Sequence, residues 1–174
     1  MTELSIPDPS LVVLVGAAGA GKSTFAARHF DPSEVFSSDA YRARISGDPA
    51  NQAVTRAAFG ILHRDLARRL AGQQLSVVDA TNLGRAARRV LLRLASAGGV
   101  PAVAIVFDLP VDVILARNAA RTARVVDEAV VRDHLAQVRA MIDGPETDLD
   151  AEGFSLVTVV RDPGELDGLA VVRR

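Results

Sequence analysis

The sequence predicts a three-layer α/β fold, with a mostly parallel sheet of about five strands flanked by helices. Short runs of consecutive apolar, often β-branched residues are typical of strands that are buried on both faces. Segments with apolar residues at helical spacing lie between these runs, and alternating strands and helices favour a parallel sheet with right-handed crossovers. With 174 residues, of which 49% are hydrophobic, the chain is long enough for one core. We therefore expect a single domain over residues 1–174.

Predicted strands and helices alternate along the chain, except that two helices lie between the last two strands. The predicted strands cover residues 11–15, 35–37, 75–78, 102–107 and 154–160. The predicted helices cover residues 21–30, 50–71, 85–97, 110–120 and 127–142. Two glycines after residue 97 and a proline at residue 110 are suitable helix boundaries. Residues 161–174 carry no clear pattern and are expected to form a short edge element or a tail.

Composition excludes several classes of protein. The chain has no cysteine, which excludes a disulfide framework, a thiol nucleophile and a cysteine-ligated metal site. No apolar run approaches the roughly 18 residues of a membrane span, and the first ten residues lack the pattern of a secretory signal. We therefore expect a cytoplasmic protein with no membrane association. Residues 42–139 hold fifteen basic and eight acidic side chains, which is basic enough to attract a polyanion.

The strongest motif follows the first predicted strand, where residues 16–23 read GAAGAGKS. This is the full pattern of a phosphate-binding loop, and it lies between a strand and a helix as the motif requires. Glycines let backbone N–H groups converge on phosphates, and the positive end of the helix faces them. Lys22 is the only lysine among 20 basic residues, and a compact ammonium suits this position better than a planar guanidinium. The alternative is a tight strand–helix turn that merely resembles the motif.

The motif predicts a P-loop NTPase fold that binds a nucleoside triphosphate with Mg²⁺. Lys22 is expected near the β- and γ-phosphates, and the Ser23 hydroxyl is the predicted metal ligand. The predicted nucleotide-binding residues are Gly16, Ala17, Ala18, Gly19, Ala20, Gly21, Lys22, Ser23 and Thr24.

The end of the second predicted strand supplies a candidate catalytic base. Ligands collect at the carboxyl ends of strands in open α/β sheets, and Asp39 lies there with Arg42 three residues further on. A carboxylate at this place can accept the proton of an acceptor hydroxyl in phosphoryl transfer. It can equally be a helix N-cap, a role that aspartate fills well. Spacing alone does not separate the two interpretations.

Two further groups are candidates for the same site. Arg117, Arg121 and Arg124 lie in a segment, residues 115–127, that is predicted to cross from one helix to the next. They could close over a triphosphate as a lid and neutralise the charge of the transferring group, or they could lie on a solvated helix face. Asp79 ends the third strand, and either it assists magnesium or it caps the following turn with Asn82.

Two other features favour nucleic acid only weakly. Arg85, Arg89 and Arg93 repeat every four residues, with Arg88 beside them, and such a stripe can guide a phosphate backbone or simply face water. Tyr41, beside Asp39, is the aromatic residue whose position in the sequence suits base stacking. Alternatively, the Tyr41 ring packs against the edge of the sheet.

Five segments together resemble the kinase module of bacterial polynucleotide kinase–phosphatases, a relative of the phage 5′-polynucleotide kinase. They are GAAGAGKSTFA, FSSDAYR, LSVVDATN, AIVFDLP and ARNAARTAR, which follow in the same order over roughly residues 10–160. The combination of SSDxxR with VVDATN is much more specific than the phosphate-binding loop alone. Three alanines in that loop depart from the family, which usually has serines there. The family also joins the kinase to phosphatase and ligase-like domains, for which 174 residues leave no room.

The resemblance implies ATP- and Mg²⁺-dependent phosphorylation of a 5′-hydroxyl end of RNA or DNA. By position, it makes Asp39 the general base and places Arg42 on the acceptor's phosphate or against the base. Arg117 and Arg124 would contact the ATP phosphates from the lid, and Arg121 lies between them in the sequence. The chain would then be either a stand-alone kinase, with a phosphatase or a ligase as separate partners, or an excised module, and the oligomeric state stays open.

Two other functions remain as alternatives. A P-loop kinase of a small alcohol, such as a nucleoside, a sugar or an antibiotic, would use the same catalytic residues with a closed acceptor pocket. A nucleotide-binding switch or ATPase would have no acceptor at all. The sequence lacks the NKxD motif that reads guanine, which argues against a GTPase-type switch.

Overall fold

The computed structural model describes residues 3–122, 124–143 and 148–174. The strands of this part are β1 (Glu3–Ile6), β2 (Leu11–Gly16), β3 (Val35–Ser37), β4 (Ser76–Asp79), β5 (Ala102–Phe107), β6 (Leu156–Val160) and β7 (Ala170–Arg173). Five of them form one sheet in the order β3-β4-β2-β5-β6, and all neighbouring strands in it are parallel. The predicted α/β fold with a parallel five-stranded sheet is thereby confirmed.

Helices cover both faces of this sheet. They are α1 (Lys22–His29), α2 (Ser38–Ser46), α3 (Thr55–Ala71), α4 (Arg85–Gly98), α5 (Val111–Ala119), α6 (Glu128–Ile142), α7 (Asp148–Glu152) and α8 (Pro163–Gly168). Short 3₁₀ helices over Pro32–Glu34 and Gln52–Val54 precede β3 and α3. The five predicted helices correspond to α1, α3, α4, α5 and α6 within a few residues.

The central strand β2 shows why the sheet is buried on both faces. Its side chains alternate between two apolar clusters: Val12 and Leu14 join the one that contains α1 and α5 residues, whereas Leu11, Val13 and Val15 join the one that contains α3 and α4 residues. All six residues of β2 are buried. A continuous apolar run is therefore the expected pattern for this strand.

A second, two-stranded sheet lies outside the sequence-based predictions. β1 and β7 pair in parallel, so the two ends of the described chain lie side by side. The guanidinium of Arg173 forms a bidentate ion pair with Glu34, with N–O distances of 2.8 and 2.9 Å. Residues 161–174 thus contain α8 and an edge strand. Each strand has only four residues, and a pairing across the whole chain leaves no local pattern in the sequence.

The strand order brings three loop regions to one edge of the main sheet. In the register of the sheet, Asp79 lies opposite both Leu14 of β2 and Ser37 of β3. The segments that follow β2, β3 and β4 therefore emerge next to each other, where an open α/β sheet binds its ligands. None of the helices in the described ranges is long and apolar enough to cross a membrane.

Candidate active site

A cleft of about 770 Å³ opens at this carboxyl edge of the sheet. Its walls come from the loop after β2, the start of α2, the 3₁₀ helix before α3, the segment after α5, and α8. All six predicted catalytic residues line it. They are Lys22, Asp39, Arg42, Arg117, Arg121 and Arg124.

The loop between β2 and α1 has the backbone geometry of an anion site. Gly19 and Gly21 both have left-handed backbone conformations, with φ of 85° and 94°. A Cβ atom on Gly19 would lie 2.9 Å from the Ile114 carbonyl oxygen, because α5 packs directly against the loop. Helix α1 begins without a side-chain cap, so the N–H groups of its first turn remain available to an anion.

The alanines of the loop have a structural explanation. Ala17 and Ala20 are fully buried and belong to the apolar cluster on the α1 side of the sheet, and Ala18 lies at its border. A serine hydroxyl at the two buried positions would need a hydrogen-bond partner in an apolar environment. Of the nine residues predicted to bind nucleotide, Ala18, Gly19, Gly21, Lys22, Ser23 and Thr24 line the cleft.

Lys22 is held inside the loop by the backbone. Its ammonium donates hydrogen bonds to the carbonyl oxygens of Gly16, at 3.0 Å, and of Ala17, at 2.7 Å. Burial lowers the pKa of Lys22 to about 8, partly offset by the nearby Asp79 carboxyl. Lys22 therefore still carries its charge at neutral pH, and it loses that charge at a lower pH than an ordinary lysine does.

Ser23 and Asp79 form an oxygen pair that fits a magnesium ion. Asp79 is buried at the end of β4, and burial raises its pKa, while a hydrogen-bond interaction with Ser23 and the charge of Lys22 oppose this. Mg²⁺ takes oxygen ligands and keeps several waters, so one or two protein oxygens are enough when phosphates supply others. The described residues hold no cluster of three or more metal-binding side chains. Helix α4 has Gly84 at its N-cap and no side-chain cap, and the Asn82 amide instead donates to the carbonyl oxygen of Leu14 at 2.7 Å.

Asp39 is not the N-cap of its helix. That position belongs to Ser37, whose hydroxyl accepts from the N–H of Ala40, and Asp39 lies in the first turn of α2 with its side chain half exposed. Arg42, which is 6% exposed, donates from Nη2 to the Asp39 carboxylate and from Nε to the Pro49 carbonyl oxygen at 2.8 Å. The N-cap interpretation of Asp39 is therefore wrong. Its carboxylate is instead fixed by Arg42 and faces the cleft.

The three arginines after Ile114 line the cleft from the segments that follow β5, whereas Asp39 follows β3, and β4 and β2 lie between these two strands in the sheet, so the arginines form the opposite wall. Arg117 is on α5, with Nη1 3.2 Å from the position that a Cβ of Gly21 would take. Arg121 and Arg124 are in the connection between α5 and α6, and both side chains are partly buried. Residue 123, within the predicted lid, lies outside the described residues. The lid segment thus brings its arginines to the same cleft as the phosphate-binding loop.

Asn118 closes the base of this lid, and sequence reasoning missed it. Its carboxamide is buried, donates to the carbonyl oxygen of Val126 at 2.7 Å and accepts from the Val126 N–H at 3.1 Å. The two bonds join the ends of the connection that carries Arg121 and Arg124. Because the partners are backbone groups eight residues away, no side-chain pattern indicates this contact.

The side of the cleft next to the start of α2 contains residues that the sequence did not single out. Gln52, Thr55 and Phe59 line it next to the start of α2. Tyr41, the candidate for base stacking, instead packs on Phe36 with nearly parallel rings 6.4 Å apart. The Tyr41 hydroxyl donates to Asp65 at 3.1 Å, so the alternative of packing against the sheet edge is the one observed.

The arginine stripe on α4 divides into two kinds of residue. Arg88 is 2% exposed and forms a bidentate ion pair with Glu152, at 2.6 and 2.8 Å, so it is structural. Arg85, Arg89 and Arg93 are exposed on the outer face of the helix. The interpretation of the stripe as a solvent-facing helix surface therefore holds for these three residues and not for Arg88.

Solved structures share this fold. A chain of the Pnkp1/Rnl/Hen1 RNA repair complex matches with a TM-score of 0.68 and 21% identity, over 82% of this chain and 48% of that one. A chain of a second Pnkp1/Rnl/Hen1 complex structure matches with a TM-score of 0.54 and 25% identity, over 68% and 41% of the two chains. The present chain thus spans less than half the length of both.

Similarity extends to kinases of small molecules. A sugar kinase from Janibacter sp. HTCC2649 matches with a TM-score of 0.55 and 20% identity, over 91% of this chain and 90% of that one. The fold is therefore that of a P-loop kinase, and the resemblance to the polynucleotide kinase module is confirmed at the level of the fold.

Family membership follows from the sequence model that the chain matches. No curated protein matches the chain at a significant level. The model of a family described as AAA domain matches residues 11–145, from β2 to just past α6. This range includes the phosphate-binding loop, Asp39, Arg42 and the three lid arginines, and it is most of the chain. The chain belongs to this AAA domain family of P-loop proteins.

Proposed function

We propose that the chain is an ATP-dependent polynucleotide kinase that phosphorylates 5′-hydroxyl ends of RNA or DNA. One observation carries this proposal. The carboxylate of Asp39, fixed by the buried Arg42, opens onto the same cleft as Lys22 and the phosphate-binding loop. A base on one wall and a triphosphate site on the other are what transfer to an alcohol needs, whereas simple hydrolysis needs no alcohol-binding wall.

The proposed reaction is an in-line displacement at the γ-phosphorus of ATP. The oxygen of the 5′-hydroxyl forms a bond to the γ-phosphorus, and the bond from that phosphorus to the β–γ bridging oxygen breaks, so that ADP leaves. The hydroxyl proton passes to a carboxylate oxygen of Asp39. Arg42 keeps this carboxylate in place during the transfer through its bonds to Asp39 and to the Pro49 carbonyl.

Positively charged side chains on the opposite wall can neutralise the negative charge that spreads over the transferring phosphoryl group. Lys22 is the buried cation of the loop, and Arg117, Arg121 and Arg124 approach from the α5 side. Mg²⁺, when bound at Ser23 and Asp79, supplies further charge neutralisation of the phosphates. Fixed positive charge in a partly buried cleft stabilises such a transition state better than water does.

The charge of the cleft also supports a phosphate-bearing acceptor. Six basic side chains line it, against the carboxylates of Asp39, Asp79 and Asp167. Arg42 is 6% exposed and paired with Asp39, so its proposed part is to orient the base, and the other basic side chains meet a negatively charged acceptor. The activity would then be one step of end repair, alongside phosphatase and ligase activities.

A kinase of a small alcohol is the second candidate. The observation in its favour is the sugar kinase from Janibacter, which this chain matches over nearly the full length of both. It would use the same base, loop and lid, and it differs only in the acceptor.

A transfer assay with a panel of acceptors separates the candidates. The protein is incubated with γ-labelled ATP and Mg²⁺ and with 5′-hydroxyl RNA, 5′-hydroxyl DNA, free nucleosides or sugars. Label on the oligonucleotide ends is the expected result, whereas label on a sugar alone would replace the proposal by the second candidate. Release of phosphate that no acceptor changes would contradict both.

A further inference from the structure

Phe59 differs from the other phenylalanines of the chain. It belongs to neither apolar cluster of the core, and it is only half buried. Its ring lies 5.7 Å from that of His63 on the same helix and lines the cleft. The phenylalanines that do belong to the core clusters are Phe25, Phe30, Phe36, Phe107 and Phe154. Folding therefore does not account for the choice of an aromatic residue at position 59.

The surroundings of Phe59 are polar and lie on the acceptor wall. Gln52 and Thr55, which precede Phe59 in the chain, line the same cleft, and the Thr55 hydroxyl donates to the Gln52 side-chain oxygen at 3.4 Å. The segment that leads to them is tied to α2 by the bond from Arg42 to the Pro49 carbonyl. Phe59 is thus on the side of Asp39 and Arg42, and the lid arginines form the other side.

This combination matches one kind of ligand. A flat apolar ring in a concave polar cleft stacks well on another flat ring, and stacking of a base on an aromatic side chain contributes about 1–3 kcal/mol. An amide and a hydroxyl beside the ring can form hydrogen bonds with the edge of a heterocycle. A sugar can offer only a small C–H patch to such a ring, whereas a nucleobase covers the ring with a flat π system and offers donors and acceptors at its edge.

We propose that Phe59, Gln52 and Thr55 form a subsite for the nucleobase of the acceptor's 5′-terminal nucleoside, which stacks on the Phe59 ring. The ribose 5′-oxygen would then point toward Asp39. This inference rests on the proposed function, because it names how that site recognises its acceptor. The proposed subsite would contact the base of the first nucleoside and not the bases that follow it in the strand.

The test compares two 5′-hydroxyl oligonucleotides that differ only in the base of the first residue, which is present in one and missing in the other. The wild type should lose about tenfold in kcat/KM on the abasic oligonucleotide, which corresponds to about 1.4 kcal/mol. Phe59→Leu should lose a similar factor on the normal oligonucleotide and nothing further on the abasic one. Phe59→Tyr, which keeps the flat ring, should retain the wild-type preference.

Ile45→Ala is the matched control for removing apolar area. Ile45 is an exposed residue of α2 that does not line the cleft, so both oligonucleotides should react as with the wild type. A binding measurement tests stacking without turnover: 2-aminopurine placed as the first base should lose fluorescence on binding to the wild type, and not on binding to Phe59→Leu.

The outcomes separate this inference from the proposed function. Equal kcat/KM of the wild type on both oligonucleotides, or an equal loss on both with Phe59→Leu, would overturn the subsite and leave the polynucleotide kinase intact. Phosphorylation of free nucleosides but of no oligonucleotide, with the same dependence on Phe59, would support the subsite and contradict the proposed function. Transfer to sugars alone would overturn both.

Discussion

Replacing Asn118 by alanine should loosen the lid without touching any residue that faces the phosphates. The wild-type carboxamide makes two hydrogen bonds to the backbone of Val126, at 2.7 and 3.1 Å, in a buried environment. Asn118→Ala leaves a buried N–H and a buried carbonyl without these partners. Each orphaned group costs about 1–3 kcal/mol, so we expect a loss of about 2–6 kcal/mol in the free energy of unfolding.

The same change should slow phosphoryl transfer. Arg121 and Arg124 lie in the connection that the two bonds close, so their positions depend on Asn118. Misplacement of a transition-state contact by about 1 Å can cost on the order of a hundredfold, and we expect a fall in kcat of about 10–100-fold. The KM for the acceptor should change little, because Asp39 and Arg42 follow β3, which β4 and β2 separate from β5 and the lid that comes after it.

The assay combines urea unfolding with transfer kinetics at a temperature where the variant is fully folded. Gln137→Ala is the control, because the Gln137 amide donates to Asp133 at the surface of α6 and its removal should cost less than about 0.5 kcal/mol. The reasoning would be refuted if Asn118→Ala stayed within about 0.5 kcal/mol of the wild type. A kcat within about twofold of the wild type would refute the positioning role.

Three further predictions concern stability and nucleotide binding. Glu152→Ala leaves the buried Arg88 guanidinium without its carboxylate, so urea unfolding should show a loss of about 3–5 kcal/mol, and a loss below about 1 kcal/mol would contradict the account. Gly19→Ala should weaken ATP binding in calorimetry by more than about tenfold, because its Cβ would meet the backbone of α5; Gly47→Ala has a similar φ but no atom within 4 Å, and it should bind ATP normally. ATP affinity should be constant below pH 8 and fall above it, by up to about tenfold per pH unit, because the Lys22 ammonium with its pKa of about 8 loses its proton there; a flat profile to about pH 9.5 would exclude this role.

The fold could be predicted from the sequence because its signals are local. Continuous apolar runs mark the strands of a sheet that is buried on both faces, and β2, whose six residues are all buried, is the clearest example. The phosphate-binding loop is equally local, since the left-handed backbone at Gly19 and Gly21 directly requires glycine. The pairing of β1 with β7 joins the two ends of the described chain, and neither four-residue strand has a sequence pattern that predicts which strand it pairs with.

The residues of the candidate site likewise divide into those that a local pattern predicts and those that only the tertiary structure shows. Asp39 and Arg42 can be found from the sequence because residues three positions apart on a helix lie on the same face. Helix α2 begins at Ser38 and therefore contains both residues. Asn118 and Phe59 escape such reasoning because their environments depend on tertiary packing. A buried asparagine that bonds only to backbone looks like any helical asparagine in a sequence. A phenylalanine that faces a cleft likewise looks like one that faces a core.

The role of Asp39 as the base for an alcohol acceptor is the central claim, and one comparison tests it most directly. Single-turnover transfer from γ-labelled ATP to a 5′-hydroxyl oligonucleotide should fall by about a hundredfold or more in Asp39→Ala, while the affinity for ATP stays unchanged. Asp167→Ala is the control, because this carboxylate lines the same cleft, is exposed and lies beside Arg28 away from the Asp39–Arg42 pair, and its transfer rate should stay near that of the wild type. Near-wild-type transfer by Asp39→Ala would contradict the account.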